Sequence, residues 1–255
     1  MNKKYLNLGC GNKFISSKNW TNLDFVSVDN NVKECNLLNG IPFENDNFDF
    51  TYSSHVLEHM PYFEGVNFLS EQYRVLKKGG VIRVVVPDLK AIIDNYLNFF
   101  NNGIVNLEDN ELYKKYYWTL LELFDQLLRN KGGGNMINFI NSSKGDLKDF
   151  ISSRIGDEIN NINKNNKPRF FDDFLKSLKK FFRFYFIGKF RNSGEIHQWM
   201  YDEYSLSFEL NKLGFKKIKK FTYNSSYDKN WNNFKLDSFN ETVRKPDSLF
   251  IEAIK

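Results

Sequence analysis

The chain contains few cysteines, prolines and histidines, with only two, five and three of them in 255 residues. Cys10 and Cys35 are too few for a disulfide framework or for a zinc site built from cysteine. No apolar stretch approaches the roughly 20 residues that a membrane-spanning helix needs. The start, MNKKYLNLGCG, has no uninterrupted apolar region followed by small residues, so no secretory signal is expected. These absences favour a cytoplasmic globular protein with reduced thiols.

The composition suits one α/β domain with an additional segment. Hydrophobic residues make up 41% of the chain, and 255 residues can bury a full core. The formal net charge of +5 is a mild basic excess, which could attract phosphate or anionic surfaces without requiring nucleic acid.

A short apolar run at the start ends at two glycines, in the sequence YLNLGCGN. Tyr5 to Leu8 is predicted to be a buried strand, and Gly9 and Gly11 allow a turn at which the backbone can approach a ligand. The third glycine of a dinucleotide fingerprint would fall on Phe14. The loop therefore indicates a nucleotide-type site without being a dinucleotide motif.

Two polar side chains follow the next predicted strands. Thr21 to Phe25 is predicted to be the second strand, and Asp24 at its tip could accept hydrogen bonds from both hydroxyls of a ribose. Val32 to Leu38 is predicted to be the third strand. Asn36 on it could meet the edge of an adenine, although an Asn near a turn is more often structural.

The central part of the chain continues the alternation of strands and helices. Residues 47–56 are predicted to form a central strand, followed by a helix that Gly79-Gly80 would end and by a fifth strand at 81–88. In this order, the blocks YLNLGCGN, NLDF, NGIPFENDNFDFTYSSHVLEHM and RVLKKGGVIRVVVPDL resemble the class I S-adenosylmethionine-dependent methyltransferases, within them the type 11 branch. The chain departs from that pattern at Asn7, Lys13 and Asn36.

The resemblance implies a Rossmann-like α/β fold with a seven-stranded, mostly parallel sheet and S-adenosylmethionine as cofactor. The residues that it implies for the cofactor are Gly9, Cys10, Gly11, Asn12, Asp24, Asn36, Leu37 and Ser54. We predict a cofactor-binding part at 1–89, a helical insertion at 90–193 that caps the site, and a C-terminal part of the core at 194–255. The insertion would lie above the carboxyl ends of the strands, where such sheets bind ligands.

The insertion contains three informative stretches. Apolar residues from 112 to 128 have helical spacing, and a glycine-rich stretch at 132–134 could be a mobile loop or an ordinary connection. Residues 170–191 interleave aromatic and basic side chains, which is typical of membrane-surface contact, of base stacking or of a packed amphipathic helix. Peripheral membrane contact through this stretch is one prediction, and packing is the more common explanation.

The candidate catalytic residues are histidines. Methyl transfer is an in-line displacement that needs no covalent nucleophile, and a hydroxyl acceptor needs a base. His55 is the predicted base and His197 the alternative; Asp202 is predicted to cap a helix that Gly214 ends. Glu58 and His59 could be half of a metal site, but two ligands from one turn are not a site, so no metal is predicted. The predicted substrate-binding residues are His59, Arg129, Trp199 and Tyr201.

The sequence says least about the identity of the methyl acceptor. The chain has no Asn-Pro-Pro-Tyr motif after the fourth strand and no Pro-Cys nucleophile, so base methylation of DNA is not favoured. The long insertion and the HQWMYD block resemble methyltransferases of bacterial surface-polysaccharide biosynthesis, which implies a saccharide or related small polar acceptor. The alternatives are a methyltransferase of another small metabolite, a non-catalytic cofactor-binding module, and an RNA-binding methyltransferase that uses the basic aromatic stretch.

Overall fold

The computed structural model describes residues 3–27, 29–156, 159 and 183–255. The chain divides into two compact units. The first consists of Met1–Asp88, Gln198–Arg244 and Ser248–Lys255, and the second of Leu89–His197 and Lys245–Asp247. No helix in the described ranges is long and apolar enough to cross a membrane.

The first unit is built on a seven-stranded sheet in the order β3-β2-β1-β4-β5-β9-β6. Only β9 is antiparallel to its neighbours, β5 and β6. The strands are β1 (Tyr5–Leu8), β2 (Trp20–Asp24), β3 (Val32–Glu34), β4 (Phe48–Ser54), β5 (Leu76–Pro87), β6 (Lys216–Phe221) and β9 (Ser248–Ile254). β7 (Ser238–Phe239) and β8 (Thr242–Val243) form a separate hairpin. This confirms the predicted Rossmann-like α/β fold.

Both faces of the sheet carry buried apolar side chains, as expected for the central strands of a largely parallel sheet. Leu6 and Leu8 belong to one cluster, and Tyr5 and Trp20 belong to a second, aromatic cluster. Against the rings of that second cluster, fully buried Arg83 forms ion pairs with Asp237 and Glu252 at 2.8 and 2.6 Å. It also donates to the carbonyl oxygens of residues 222 and 225, so one buried guanidinium holds the segment before β7 on the sheet.

The first helix of this unit ends earlier than the sequence predicts. α1 (Tyr62–Val75) ends when Leu76 turns extended, with φ −72° and ψ 139°. The prediction that Gly79-Gly80 ends this helix was wrong, because both glycines lie within β5, where Gly79 adopts φ +80° and donates its N–H to the carbonyl oxygen of Lys255. The third strand also stops early, at Glu34, and is followed by a short 3-10 turn, Leu37–Asn39.

The helix after Asp202 begins and ends where the sequence signals predict. The helices that we number α8 (Glu203–Lys212) and α9 (Trp231–Phe234) lie in the first unit. The carboxylate of Asp202 accepts the N–H of Ser205 at 2.7 Å in a capping box, and Gly214 just beyond α8 adopts φ +102°. The predicted N-cap and the glycine stop are both confirmed.

The second unit is helical in its described residues, which confirms the helical insertion after the fifth strand. A π-helical turn, Leu121–Asp125, connects α3 and α4. The helices are α2 (Leu89–Ile104), α3 (Asn110–Leu120), α4 (Gln126–Leu128), α5 (Met136–Ser142), α6 (Gly145–Ile155) and α7 (Arg183–Arg191). Residues 170–182 of the predicted membrane-contact stretch lie outside the described residues, and 183–191 form α7.

The core of this unit contains buried carboxylates. Trp118 donates its indole N–H to Glu122 at 2.9 Å, and Arg154 pairs with the same carboxylate at 3.1 Å. Burial raises the pKa of Glu122. The carboxylate of Asp125 accepts the backbone N–H groups of Asn135 and Met136. The glycine-rich stretch before α5 is therefore anchored at its end by a buried acceptor.

Candidate functional site

The site lies where β1, β2 and β4 end at the same edge of the sheet. Leu8, the last residue of β1, pairs with Leu23 on one side and with Ser53 on the other. The loop that starts at Gly9 therefore emerges between the ends of its two neighbours, next to Asp24 and Ser54. In open α/β sheets this carboxyl edge is the place where ligands bind.

The two glycines of the loop differ in the space around them. Gly9 adopts φ +66°, and a Cβ atom there would lie 2.3 Å from Cγ2 of Val56. Gly11 adopts φ +52°, but a Cβ there would meet no atom of the described chain within 4 Å. Gly9 thus lets the loop pack against the residue after His55, whereas Gly11 borders open space.

The loop turns its amide groups inward. The N–H groups of Gly9 and Cys10 both donate to the carbonyl oxygen of Leu23, and the N–H of Gly11 donates to Oδ2 of Asp24 at 2.7 Å. Loops that cradle phosphate direct their free N–H groups at the anion. This loop does not, which agrees with the departure at Phe14 and favours a ligand without phosphate at this position.

Asp24 is half-buried and already holds part of the loop. Besides the N–H of Gly11, its carboxylate accepts the N–H of Val26 at 3.3 Å. An ionised carboxylate has about four acceptor positions, so two remain for hydroxyl donors. The geometry is compatible with the predicted ribose contact, while it also gives Asp24 a structural role that the sequence did not indicate.

A buried pair of amides supports the loop from below. The side chain of Asn7 donates to the carbonyl oxygen of Lys13 at 2.9 Å and lies 3.3 Å from that of Asn22. Asn22 in turn donates to the carbonyl oxygen of Ile15. We did not predict these residues as part of the site. The available signal was an Asn next to a leucine inside each of the two strands.

Asn36 and Leu37 lie in the next loop along the edge. The side-chain oxygen of Asn36 accepts the N–H of Leu38 at 3.1 Å and caps the 3-10 turn, while the side chain itself is exposed. Leu37 is buried in the apolar core. The NH₂ group of Asn36 can still donate to a base, so its contact with adenine stays a prediction. Asn12, in the glycine loop, is exposed.

His55 begins the segment after β4 in a left-handed conformation, with φ +55°, which is uncommon for a residue with a side chain. Its Nδ1 lies 3.0 Å from a carboxylate oxygen of Glu58, and its Nε2 lies 2.9 Å from the hydroxyl of Ser248. Glu58 is buried, and Ser248 is the first residue of β9. The imidazole is thus fixed from both ends, and its side chain is 11% exposed.

Aromatic side chains follow this segment. The 3-10 turn Leu57–His59 accepts the N–H of Trp199 at the carbonyl oxygen of Glu58. Trp199 is 44% exposed, and its ring lies 5.0 Å from that of Tyr62. His59 is half-buried at the end of the same turn. The rings of Trp199 and Tyr62 therefore form an accessible aromatic surface beside the turn that ends at His59. The substrate-binding roles of Trp199 and His59 stay predictions.

The other predicted residues are placed differently. The side chain of Tyr201 is 1% exposed in the apolar core, where it packs against Gly65, so a substrate-binding role does not fit its position. In the second unit, Arg129 donates to the carbonyl oxygen of Glu195, and buried His197 donates its backbone N–H to Gln126. The roles of Arg129 and His197 stay predictions.

We predict that the thiol of Cys10 reacts only after unfolding. Burial, followed by the carboxylate of Asp24, raises the pKa of Cys10 to about 12. Stability from this protonated thiol is full below the ordinary value of 9.0 and is lost as the pH rises toward about 12. Burial also raises the pKa of Cys35, but its thiol is more accessible, so near neutral pH mass spectrometry after iodoacetamide treatment should show faster modification of Cys35 than of Cys10, with Cys35→Ser as control. Rapid alkylation of Cys10 in the folded protein would contradict this.

Gly11→Ala should weaken cofactor binding more than it weakens the fold. The new methyl group would enter the open space beside the loop, at a cost of about 1 kcal/mol, or roughly fivefold in Kd. Gly79→Ala is a matched control, because Gly79 also has a positive φ and open space around its Cβ position but lies within β5. Both variants should lose similar thermal stability, and calorimetry with S-adenosylhomocysteine should separate them. Equal affinities would remove Gly11 from the site.

The chain is similar to known methyltransferases. Residues 6–84 match the Methyltransf_11 family, a methyltransferase domain. A Galdieria sulphuraria protein named as a sarcosine dimethylglycine methyltransferase is 26% identical, with TM-score 0.29, over 36% of this chain and 44% of its own. A SAM dependent methyltransferase from Archaeoglobus fulgidus is 13% identical, with TM-score 0.40, over 99% and 86% of the two chains. Among curated proteins no match was found.

The family match covers the glycine loop, Asp24 and the whole segment from β4 to His55. Residues 6–84 are therefore similar to a methyltransferase domain, the class for which the sequence resemblance implies S-adenosylmethionine as cofactor. The matched part spans less than half of the Galdieria sulphuraria protein. The match does not extend to the second unit or to Trp199, and it carries no information on the methyl acceptor.

Proposed function

We propose that the chain transfers a methyl group from S-adenosylmethionine to a hydroxyl of a sugar or a related small polar or phosphorylated acceptor, in the cytoplasm and in surface-polysaccharide biosynthesis. The single observation that carries the proposal of O-methylation is the position of His55. It lies at the carboxyl edge, directly after β4 and before Val56, which packs against Gly9 of the glycine loop, with one ring nitrogen paired to a buried carboxylate.

The residues around the cofactor site fit the parts of this cofactor. The carboxylate of Asp24 has acceptor positions left for the ribose hydroxyls, and the exposed amide of Asn36 can meet the adenine edge. The loop at Gly9 and Gly11 presents no free row of N–H groups, so it suits the uncharged and cationic parts of the methionyl group better than a phosphate. When bound, S-adenosylmethionine supplies an electrophilic methyl group on a sulfonium.

His55 is the residue that would take the acceptor proton. A hydroxyl is a poor nucleophile at neutral pH, and a histidine that removes its proton as the new bond forms contributes about 10²- to 10⁴-fold. Glu58 faces Nδ1 at 3.0 Å and so favours the tautomer in which Nδ1 carries the proton and Nε2 is the base. The proton of the acceptor would then pass to Nε2.

Ser248 shows that Nε2 accommodates a hydroxyl. Its side-chain oxygen lies 2.9 Å from Nε2, within the range in which a general base abstracts a proton. An acceptor hydroxyl can take the same place relative to the ring when Ser248 adopts another rotamer. The left-handed backbone at His55 aims the ring at this position, and such outliers are common at functional sites.

The proposal of a saccharide acceptor has separate support. Trp199 and Tyr62 present an accessible aromatic surface beside the turn that contains Glu58, and an aromatic ring can pack against the apolar face of a sugar. The assignment to surface polysaccharides comes from the resemblance of the HQWMYD block and the insertion.

An acceptor panel tests this proposal. The full chain is incubated with S-adenosylmethionine and with nucleotide-activated sugars, sugar phosphates, free sugars or small amines, and the release of S-adenosylhomocysteine is measured. We expect turnover with at least one hydroxyl acceptor, and a shift in product mass of one methyl group on oxygen. Turnover with amines alone would reject O-methylation, while binding without turnover on any acceptor would support the non-catalytic alternative.

A further inference from the structure

Helix α2 has two apolar stripes, of which the described residues of the second unit pack only one. On the packed stripe, Tyr96 lies against Tyr116 and Phe99 against Phe150. The adjacent stripe is accessible, with side chains between 38% and 83% exposed. It consists of Ile93, Leu97, Phe100, Ile104 and, just beyond the helix, Leu107. We call these five residues the outer stripe.

The outer stripe has the spacing of a helix-pairing seam. Its members follow one another at intervals of four, three, four and three residues. This alternation is the pattern of the a and d positions through which two helices pack side by side. Polar residues, Lys90, Asp94, Asn98 and Asn101, occupy the third side of the helix. The helix therefore has three sides: an inner apolar side, an outer apolar side and a polar side.

Gly103 lies in the last turn of α2, and no contact within the described chain explains why this position is a glycine. Its φ is not positive, so the position does not require glycine for its backbone. A Cβ there would meet no described atom within 4 Å, although glycine costs about 1 kcal/mol relative to alanine inside a helix. A small residue at this place leaves room for a group from outside the chain.

A cavity of about 190 Å³ lies at the same end of the helix. Phe100, Gly103, Ile104 and Leu107 line it together with Tyr113, so most of its wall is apolar. The space is large enough for a branched aliphatic side chain. The outer stripe thus offers both protruding apolar groups at its start and a place to receive them at its end.

We propose that the outer stripe binds a second copy of this chain, with the two α2 helices antiparallel and centred on Phe100. In this arrangement Leu97, three residues before the centre, lies opposite Gly103 of the second copy, three residues after it. Ile93 lies opposite Leu107 in the same way. A two-fold contact of this kind makes each surface complementary to itself, because protruding groups at one end enter the cavity at the other.

The charges also favour this occupant over a lipid surface. Lys90, which forms an exposed ion pair with Asp94, is at the start of α2, and Glu108 follows its end, so antiparallel pairing brings Lys90 of one copy near Glu108 of the other at both ends. Lys90 is the single basic residue between positions 89 and 113. A helix that binds an anionic membrane carries several lysines or arginines on its polar face.

Sedimentation velocity of the full chain over a wide concentration range tests the proposal. We expect a monomer–dimer equilibrium in the wild type. Leu97→Asp, which places a charge in the seam, and Gly103→Leu, which fills the cavity without adding a charge, should each raise the dissociation constant at least tenfold. Phe63→Asp is the matched control, since Phe63 is 79% exposed on α1 and lies outside the outer stripe. Circular dichroism should show all three variants folded.

Three results would overturn the proposal. One is a wild type that stays monomeric at every concentration. Another is a dimer that Leu97→Asp and Gly103→Leu leave unchanged, which would place the interface elsewhere. The third is a monomeric wild type that binds vesicles of anionic phospholipid and loses this binding in Leu97→Asp, which would assign the stripe to a membrane. Loss of the dimer in both α2 variants, with Phe63→Asp unaffected, would support it.

Discussion

Replacing His55 with alanine is expected to lower turnover by about 10² or more while cofactor affinity stays unchanged, because the variant loses the base but none of the cofactor contacts. The imidazole lies between the carboxylate of Glu58 and the hydroxyl of Ser248, and neither residue can replace it as a base at Nε2. Initial rates with the best acceptor and calorimetry with S-adenosylhomocysteine give the two quantities.

The backbone of His55 requires a matched variant. Alanine at φ +55° is strained, whereas asparagine tolerates this conformation better and cannot act as a base. His55→Asn should therefore lose as much turnover as His55→Ala while keeping more of the thermal stability. Glu58→Gln should retain part of the activity, because a neutral amide can still accept from Nδ1. Full activity of His55→Asn would transfer the role of base to His197 or to solvent.

Replacing Asp24 with alanine is expected to weaken cofactor binding by about 2 kcal/mol, or roughly thirtyfold in Kd, because charge-assisted hydrogen bonds to the ribose are lost. Part of this effect could come from the loop, since Asp24 also accepts the N–H of Gly11. Asp24→Asn keeps an acceptor oxygen for that N–H but removes the charge, so its smaller loss reports the ribose contact more directly.

A cofactor analogue separates the two roles of Asp24. S-Adenosylhomocysteine without the ribose hydroxyls should bind the wild type about as weakly as the natural compound binds Asp24→Asn. The same analogue should lose little further affinity in Asp24→Asn, since the contact is then absent on both sides. Additive losses in the doubly altered complex would show that Asp24 acts only through the loop.

The sequence predicted the parts of the fold that local signals determine. The run from Tyr5 to Leu8, the glycines after it and the tip of β2 at Asp24 each follow from a few consecutive residues. The N-cap at Asp202 is equally local. The end of α1 was misplaced because Gly79-Gly80 resembles a helix stop, whereas both glycines are needed inside β5: Gly79 adopts φ +80°, and a Cβ at Gly80 would lie 2.8 Å from the carbonyl oxygen of Lys77.

The inner parts of the site could not be predicted in this way. Ser248 is 193 positions from His55, and only the insertion of β9 beside β5 brings it to the imidazole. The contact of Glu58 with Nδ1 depends on the left-handed turn at His55, which no sequence pattern signals. The burial of Tyr201 was not predictable either, because an aromatic ring suits both a binding surface and a core, and only the tertiary packing leaves it 1% exposed.

The central claim is that the edge formed by the glycine loop and Asp24 holds an adenosyl cofactor with no phosphate. Titration of the wild-type chain with S-adenosylhomocysteine in a calorimeter tests it most directly, with a nicotinamide dinucleotide as the comparison ligand. We expect saturable binding of S-adenosylhomocysteine at one site per chain and no binding of the dinucleotide, because the loop directs its N–H groups inward. Absence of S-adenosylhomocysteine binding, or tighter binding of the dinucleotide, would contradict it.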